Sequence, residues 1–161
     1  MKKKLSIFLF LIIFLSNISS SFSIEPDVFI QSTLNRTAET LSGNLTKDQK
    51  IEKLKQVAIE TVDIKGIGFY SLGSYRKGLD KNQLSKYIAV FEEYFLKSFS
   101  SRLAEYSNPE IEVLSSKKIN NSYTLVLSKL IGTNDRPEVK IEWRVYTKDP
   151  ENLLIRDLII E

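Results

Sequence analysis

Residues 80–106 read DKNQLSKYIAVFEEYFLKSFSSRLAEY, and this stretch decides the helical half of the fold. Asp80 and Gln83 have capping-box spacing, which predicts that a helix begins there. Apolar residues then recur at i, i+3 and i+4 over six turns, and Asn108 and Pro109 predict the end. A stripe of this kind usually packs into a core, but its six aromatic rings can also line a large apolar volume. The stripe consists of Leu84, Tyr87, Ile88, Phe91, Tyr94, Phe95, Phe99, Leu103 and Tyr106.

Two longer helices and a short one are predicted before this stretch. The first begins near Pro26 and ends at Gly43, because apolar residues recur between them at helical spacing. Thr46 and Gln49 form a second capping box and predict the start of the next helix. Asp63 is a candidate N-cap for the short third helix.

The third helix contains two glycines, and their role is open at this point. It is expected to end at Leu72, with Gly73 supplying a positive φ. Gly66 and Gly68 lie inside it, where each glycine costs about 1 kcal/mol relative to alanine. Either the segment is a loose connection, or the small residues allow a close approach of the backbone to a bulky group.

The pattern changes to a period of two after Pro109, which predicts strands. Residues 139–145 read VKIEWRV and are close to an ideal half-buried strand. Similar runs begin at Ile111 and Tyr123, and Leu153 to Ile160 forms the last. Short connections between four consecutive strands predict an antiparallel meander. The expected class is therefore α+β, with N-terminal helices packed on one face of a C-terminal four-stranded antiparallel sheet and an apolar pocket between them.

The first 23 residues have the pattern of a secretory signal peptide. A positive segment, Lys2–Lys4, precedes the apolar run Leu5–Leu15, and small residues follow up to Ser23. The run is shorter than the roughly 20 residues of a membrane span. Ser21 and Ser23 suit the positions before a cleavage site, so we expect cleavage after Ser23; because serine matches these positions less well than alanine, an uncleaved anchor is the alternative. Residues 24–161 are expected to form a single domain in the periplasm.

Composition excludes several classes of protein. The chain has 23 basic and 20 acidic residues, but three lysines and no acidic residue lie in 1–23, so the remainder is neutral. A nucleic-acid-binding protein needs a positive surplus, and none is present. His and Cys are both absent, which excludes the common zinc sites and the usual base of serine or cysteine nucleophiles. We therefore predict no catalytic residue, no metal and no cofactor.

The order and spacing of several motifs resemble the MlaC family, the periplasmic phospholipid-binding components of the Mla transport system, also described as toluene-tolerance auxiliary proteins. The resemblance covers nearly all of residues 24–161. Its motifs are Phe29 in the first helix, Val62-Asp63-Ile64, Leu72-Gly73-x-Tyr75-Arg76, Phe91, Ser101-Arg102-Leu103-x-x-Tyr106, Trp143-x-Val145, Ile155-x-Asp157 and Ile160-Glu161.

This resemblance implies a carrier that maintains the lipid asymmetry of the outer membrane. Its cargo would be a glycerophospholipid with the acyl tails in the apolar pocket and the headgroup in solvent. Its partners would be an outer-membrane lipoprotein complex and an inner-membrane ABC transporter complex. Family members usually continue beyond the last strand, so at Glu161 we expect either a truncated sequence or a pocket that lacks one wall.

Twelve apolar or aromatic residues are the candidate lining of this pocket. For each of them ordinary core packing is at least as good an explanation as pocket contact, so the set is a better prediction than any member. The candidates are Ile64, Ile67, Phe69, Tyr70, Tyr75, Phe91, Phe95, Phe99, Leu125, Leu127, Ile141 and Trp143.

Two other functions are weighed against the carrier. An enzyme on a similar scaffold would need a buried carboxylate with a shifted pKa, and Asp157 with Tyr75 or Tyr146 is the one pairing worth considering. We expect Asp157 instead to pair with a nearby arginine or to accept from backbone donors. A protein-only adaptor is the second alternative, and it predicts a fully packed interior.

Overall fold

The computed structural model describes residues 24–134 and 136–161. The predicted signal peptide lies outside the described residues. Helices and strands follow in the predicted order, so the α+β class with helices before the sheet is confirmed. The helices are α1 (Pro26–Ser42), α2 (Lys47–Thr61), α3 (Ile64–Leu72), a 3₁₀ helix (Gly73–Gly78) and α4 (Lys81–Leu103); the strands are β1 (Ile111–Asn120), β2 (Tyr123–Leu130), β3 (Val139–Tyr146) and β4 (Leu154–Ile160).

Side-chain caps define the starts of α2, α3 and α4 as predicted. Thr46 caps α2, and its hydroxyl accepts from the backbone N–H of Gln49 while the Gln49 amide oxygen accepts in return. The same reciprocal pair joins Asp80 and Gln83 at the start of α4. Gly73 follows α3 with a φ of 54°, as its predicted role requires.

The end of α4 was predicted too late. The helix ends at Leu103, and the backbone N–H of Tyr106 donates to the carbonyl of Leu103 three residues earlier. Such a tighter turn commonly closes a helix. Tyr106 therefore lies outside the helix, where Arg136 stacks 4.7 Å from its ring centroid.

The sheet is an antiparallel meander with strand order β1-β2-β3-β4. Val126 pairs with Trp143, and Thr124 with Val145, so these four residues share one face. Helix α1 packs against that face through Ile30 and Leu34. The core cluster consists of Ile30, Leu34, Val126, Val145, Leu153 and Ile155.

The helical half is joined to both outer strands by backbone-directed contacts. Val62 forms an isolated parallel bridge with Ile155 of β4, and the backbone N–H of Asp63 donates to the carbonyl of Ile155 at 2.9 Å. At β1, the side-chain oxygen of Gln31 accepts from the backbone N–H of Val113 at 3.3 Å.

Strand β4 contains a bulge that changes the direction of two charged side chains. Val145 pairs with Ile155, whereas its neighbour Arg144 pairs with Asp157, so Arg156 is an extra residue between the two pairs. A bulge re-aims the side chain that it inserts. Arg156 and Asp157 therefore line the same cleft, although adjacent residues of a regular strand point to opposite faces.

The glycines of α3 allow close approach rather than a loose connection. A Cβ at Gly68 would lie 2.9 Å from a ring carbon of Phe91 and 3.0 Å from the terminal methyl of Ile88. The absence of a side chain at Gly68 thus brings α3 against α4. A Cβ at Gly66 would lie 2.3 Å from a carboxylate oxygen of Asp63.

Candidate functional site

A cleft of about 620 Å³ lies between α3 and the sheet face opposite to α1. Its volume is within the range of about 300–1,000 Å³ that is typical of ligand sites. Aromatic and aliphatic side chains form part of the wall, and arginines form much of the rest. The lining residues are Gly66, Phe69 and Tyr70 of α3, Arg76 of the 3₁₀ helix, Ile119 and Asn120 of β1, Tyr123, Arg144, Arg156 and Asp157.

Asp63 connects α3 with β4 beside this cleft. One carboxylate oxygen accepts from the backbone N–H of Gly66 at 2.9 Å and so caps α3. The other accepts from Nε of Arg156 at 2.5 Å. Since its own backbone N–H donates to the carbonyl of Ile155, Asp63 fixes the start of α3 against β4 and orients the side chain of Arg156.

The side chain of Arg156 is held by two hydrogen bonds and by contact with an aromatic ring. Besides the bond to Asp63, its Nη1 donates to the hydroxyl of Tyr123 at 2.9 Å, and its guanidinium carbon lies 3.8 Å from the ring centroid of Tyr146. Burial alone would lower the pKa of Arg156, but the hydrogen bonds to Tyr123 and Asp63 and the charge of Asp63 outweigh it, so the pKa is raised. Arg156 therefore stays charged in the cleft.

The other two arginines of the cleft are more exposed. Nη1 of Arg144 lies 3.2 Å from a carboxylate oxygen of Asp157, and the two side chains are 43% and 45% exposed. The guanidinium of Arg76 lies 5.5 Å from the ring centroid of Phe69. Within the described residues, Arg76 has no carboxylate partner, whereas Arg144 and Arg156 each have one.

An aromatic row runs along α4. The rings of Tyr87, Phe91, Phe95 and Phe99 stack on one another at successive i, i+4 positions, with centroids 5.5–6.2 Å apart. All four keep part of their surface accessible to solvent. The one side chain of α4 that is fully buried is Ser100. The row is therefore an apolar surface that the described part of the chain covers incompletely.

The predicted pocket residues of the helical half have different surroundings. Phe69 and Tyr70 line the cleft, and Tyr70 and Tyr75 are 88% and 80% exposed. Ile64 is buried, and Ile67 is half-buried. The predicted members Phe91, Phe95 and Phe99 all belong to the aromatic row.

The four predicted residues of the sheet do not share one face. Leu125 pairs with Arg144, so Leu125 and Leu127 lie on the face of the cleft and are partly exposed. Ile141 and Trp143 lie on the opposite face, which α1 covers. The indole Nε1 of Trp143 donates to the hydroxyl of Ser128 at 2.8 Å. The register thus assigns Ile141 and Trp143 to the core side of the sheet, so one pocket does not contain the whole predicted set.

The buried Asp157–tyrosine pairing considered for an enzyme is not found in the described part of the chain. Asp157 is neither buried nor unpaired, since it contacts Arg144, as the sequence led us to expect, and accepts from the backbone N–H of Leu158. Neither Tyr75 nor Tyr146 donates to it among the described hydrogen bonds. The same described residues contain no group of three metal-ligating side chains and no helix long and apolar enough to cross a membrane.

Two comparisons with known proteins name the same family, and a third shows the same fold. Residues 30–161 match the model of the MlaC protein family. The intermembrane phospholipid transport system binding protein MlaC of Haemophilus influenzae is 22% identical over 135 residues, which are 79% of this chain. The aligned part spans 63% of that relative's length. The phospholipid-binding protein of Ralstonia solanacearum, solved with a phospholipid, has a TM-score of 0.69 at 15% identity, covering 86% of this chain and 79% of that one, which shows a shared fold.

Proposed function

The chain belongs to the MlaC family, and from this we propose that it is a periplasmic carrier of glycerophospholipid. The acyl tails would lie against the half-open aromatic row of α4 and the partly exposed leucines of β2. The family match, the name of the Haemophilus influenzae relative and the phospholipid in the Ralstonia solanacearum structure support this proposal.

The observation that carries the proposal is the accessible aromatic row. Burying apolar surface contributes about 25 cal/mol per Å², so a row of four stacked rings that stays half-open forgoes stabilisation unless another apolar group covers it. Two acyl tails of roughly 16 carbons need shielding worth about 25 kcal/mol at about 0.8 kcal/mol per CH₂. Contact between the acyl tails and the aromatic row would remove apolar surface of both from water.

The route and the partners follow from the same family. We propose that residues 1–23 direct export, and that residues 24–161 form one lipid-binding domain that moves between the two membranes. The partners would be the Mla complexes of the outer and inner membrane, and the result would be lipid asymmetry of the outer membrane. The carrier would perform no catalysis and need no cofactor, with the lipid as cargo.

Lipid extraction tests the proposal directly. Protein purified from a bacterial periplasm is extracted with organic solvent, and the extract is examined by mass spectrometry. We expect glycerophospholipid in an amount comparable to that of the protein. Recovery of none would contradict the carrier and favour a protein-only adaptor.

A matched pair of variants connects the lipid to the aromatic row. Phe95→Asp places a charge within the row, whereas Tyr94→Asp places it at a neighbouring position that is 68% exposed. We expect Phe95→Asp to lower lipid occupancy and Tyr94→Asp to leave it unchanged, with urea unfolding as the check on stability. Equal occupancy in both variants would mean that the row does not contact lipid. Trp143 packs against the core, so the substitution Trp143→Asp is expected to unfold the domain. It is therefore a poor probe of lipid binding.

A further inference from the structure

The charged residues of the cleft are unequal in sign. Arg76, Arg144 and Arg156 line it, and Asp157 is the one acidic side chain among its described lining residues. The excess stays positive when Asp63, which binds Arg156 from behind, is included. Residues 24–161 as a whole have equal numbers of acidic and basic side chains. With Asp63 counted, three arginines and two carboxylates give the cleft a net charge of +1 in a domain that is neutral as a whole.

Arg156 is already fixed in a binding orientation. A guanidinium has five N–H donors, and the hydrogen bonds to Asp63 and Tyr123 use two of them. Three donors have no protein acceptor in the described part of the chain. Because the guanidinium also lies against the ring of Tyr146, the side chain has less conformational entropy to lose on binding an anion.

Arg76 and Arg144 complete a set of donors around the same cleft. Arg144 contacts Asp157 through a single nitrogen, which leaves the rest of its fork for another acceptor. Arg76 rests against the ring of Phe69 and has no described carboxylate partner. The planar fork of arginine matches phosphate oxygens in a bidentate manner, which the ammonium group of lysine does not.

We propose that Arg76, Arg144 and Arg156 bind the phosphate of the glycerophospholipid headgroup, an inference that rests on the proposed carrier function. Every glycerophospholipid carries this anionic group. The arginines share the cleft with Phe69 and Ile119, and its sheet face continues into Leu125 and Leu127, so a phosphate and its tails find suitable surfaces side by side. Inorganic phosphate has the same chemistry, and the experiment must separate the two sources.

The test compares three ligands by titration calorimetry with lipid-free full-length protein. They are dihexanoylphosphatidylglycerol below its micelle concentration, dihexanoylglycerol, which has the same tails and no phosphate, and inorganic phosphate. Charge-assisted hydrogen bonds correspond to about a ten- to hundredfold change in Kd, so we expect the phospholipid to bind at least about tenfold more tightly than dihexanoylglycerol. Inorganic phosphate alone is expected to bind weakly.

Two arginine variants assign the effect to the cleft. Arg76→Gln removes the arginine with no described carboxylate partner and is expected to fold normally. It should weaken phospholipid binding about five- to tenfold and leave dihexanoylglycerol binding unchanged. Arg102→Gln, at an 81% exposed side chain of α4 outside the cleft, is the control and should change neither. Arg156→Lys keeps the charge without the fork and should also weaken phospholipid binding.

Each outcome separates this inference from the carrier proposal. Equal affinity for the phospholipid and dihexanoylglycerol, or unchanged phospholipid binding by Arg76→Gln and Arg156→Lys, would overturn the phosphate site and leave the carrier standing. Inorganic phosphate binding as tightly as the phospholipid would identify a site for free phosphate and overturn the headgroup assignment. Binding of neither lipid would overturn both proposals.

Discussion

Replacing Asp63 tests how the cleft is held together. Asp63→Asn keeps a side chain that caps helices as well as aspartate does. With its oxygen at Gly66, it removes both the negative charge and the acceptor that face Arg156, because the amide NH₂ only donates. Asp63→Ala removes both the cap and the charge. Comparing the two variants therefore separates the two functions of one carboxylate, which caps α3 at Gly66 and binds Arg156.

The magnitudes follow from the contacts and their exposure. Loss of an N-cap costs typically about 1 kcal/mol, and loss of a hydrogen bond to a charged group about 1.5–3 kcal/mol. Because the side chains of Arg156 and Asp63 are 33% and 15% exposed, solvent screens part of the second contribution. We expect Asp63→Asn to cost about 1–2 kcal/mol and Asp63→Ala about 2–3 kcal/mol.

Urea unfolding followed by the fluorescence of the single tryptophan, Trp143, measures these free energies. A double-mutant cycle of Asp63→Asn with Arg156→Met should give a coupling of about 1 kcal/mol or more. The matched control is Arg36 with Glu60, an ion pair of the same 2.5 Å length at 43% and 54% exposure. That exposed pair should couple by at most about 0.5 kcal/mol. Equal coupling in the two pairs, or equal stability of Asp63→Asn and Asp63→Ala, would refute the reasoning.

Three further substitutions test other parts of the fold by the same unfolding assay. Gly73→Ala should cost about 1–2 kcal/mol of stability because φ is positive there. Gly78 has equally open space around it and no positive φ, so the control Gly78→Ala should change stability by less than about 0.5 kcal/mol. Similar values for both variants would show that φ does not matter. Gly68→Val should cost about 1–3 kcal/mol by overpacking against Phe91, and a stabilised variant would contradict the close approach of α3 and α4. Trp143→Phe should cost about 1 kcal/mol of stability by leaving the Ser128 hydroxyl without its donor. The same substitution in a Ser128→Ala background should cost nothing, with unfolding followed by circular dichroism because the tryptophan is absent. An undiminished cost would assign the effect to packing.

The parts of the fold that the sequence predicted are those with local causes. Capping boxes at Thr46 and Asp80 act over three residues, and their hydrogen bonds form as the spacing requires. Gly73 follows α3 with the positive φ that its position indicated. The end of α4 was placed too late because the apolar period continues to Tyr106, although the backbone tightens after Leu103.

Which candidate pocket residues share a face of the sheet could not be predicted, because face assignment needs the strand register. Strand β2 reads YTLVLSKL, with apolar residues on both faces, so the sequence does not indicate which side meets the helices. Leu125 and Trp143 were therefore grouped together, although pairing with Arg144 and Val126 respectively separates them. The alternation of apolar and polar residues predicts each strand, but it does not predict which residues of neighbouring strands lie on the same face.

The arginines of the cleft depend on distant parts of the chain. Arg156 meets Asp63 across 93 positions, and the bulge that turns it toward the cleft leaves no recognisable pattern in residues 154–160. The available signal was the presence of Arg144 and Arg156 inside strands that are otherwise mostly apolar. Charged residues at such positions need partners, and the sequence did indicate that Asp157 would pair with an arginine.

The contacts of Val62 and Gln31 with the outer strands have a consequence for self-association. An exposed strand edge is a template onto which another chain can add by backbone hydrogen bonding. Val62 and Asp63 occupy that edge at Ile155, and Gln31 occupies the opposite edge at Val113. Beyond Val113, β1 carries Lys117 and Lys118 and bulges at Leu114 and Ile119, features that discourage edge-to-edge pairing. These features protect both edges of the sheet against pairing with a second copy of the chain, which the proposed carrier would need because its aromatic row is partly exposed.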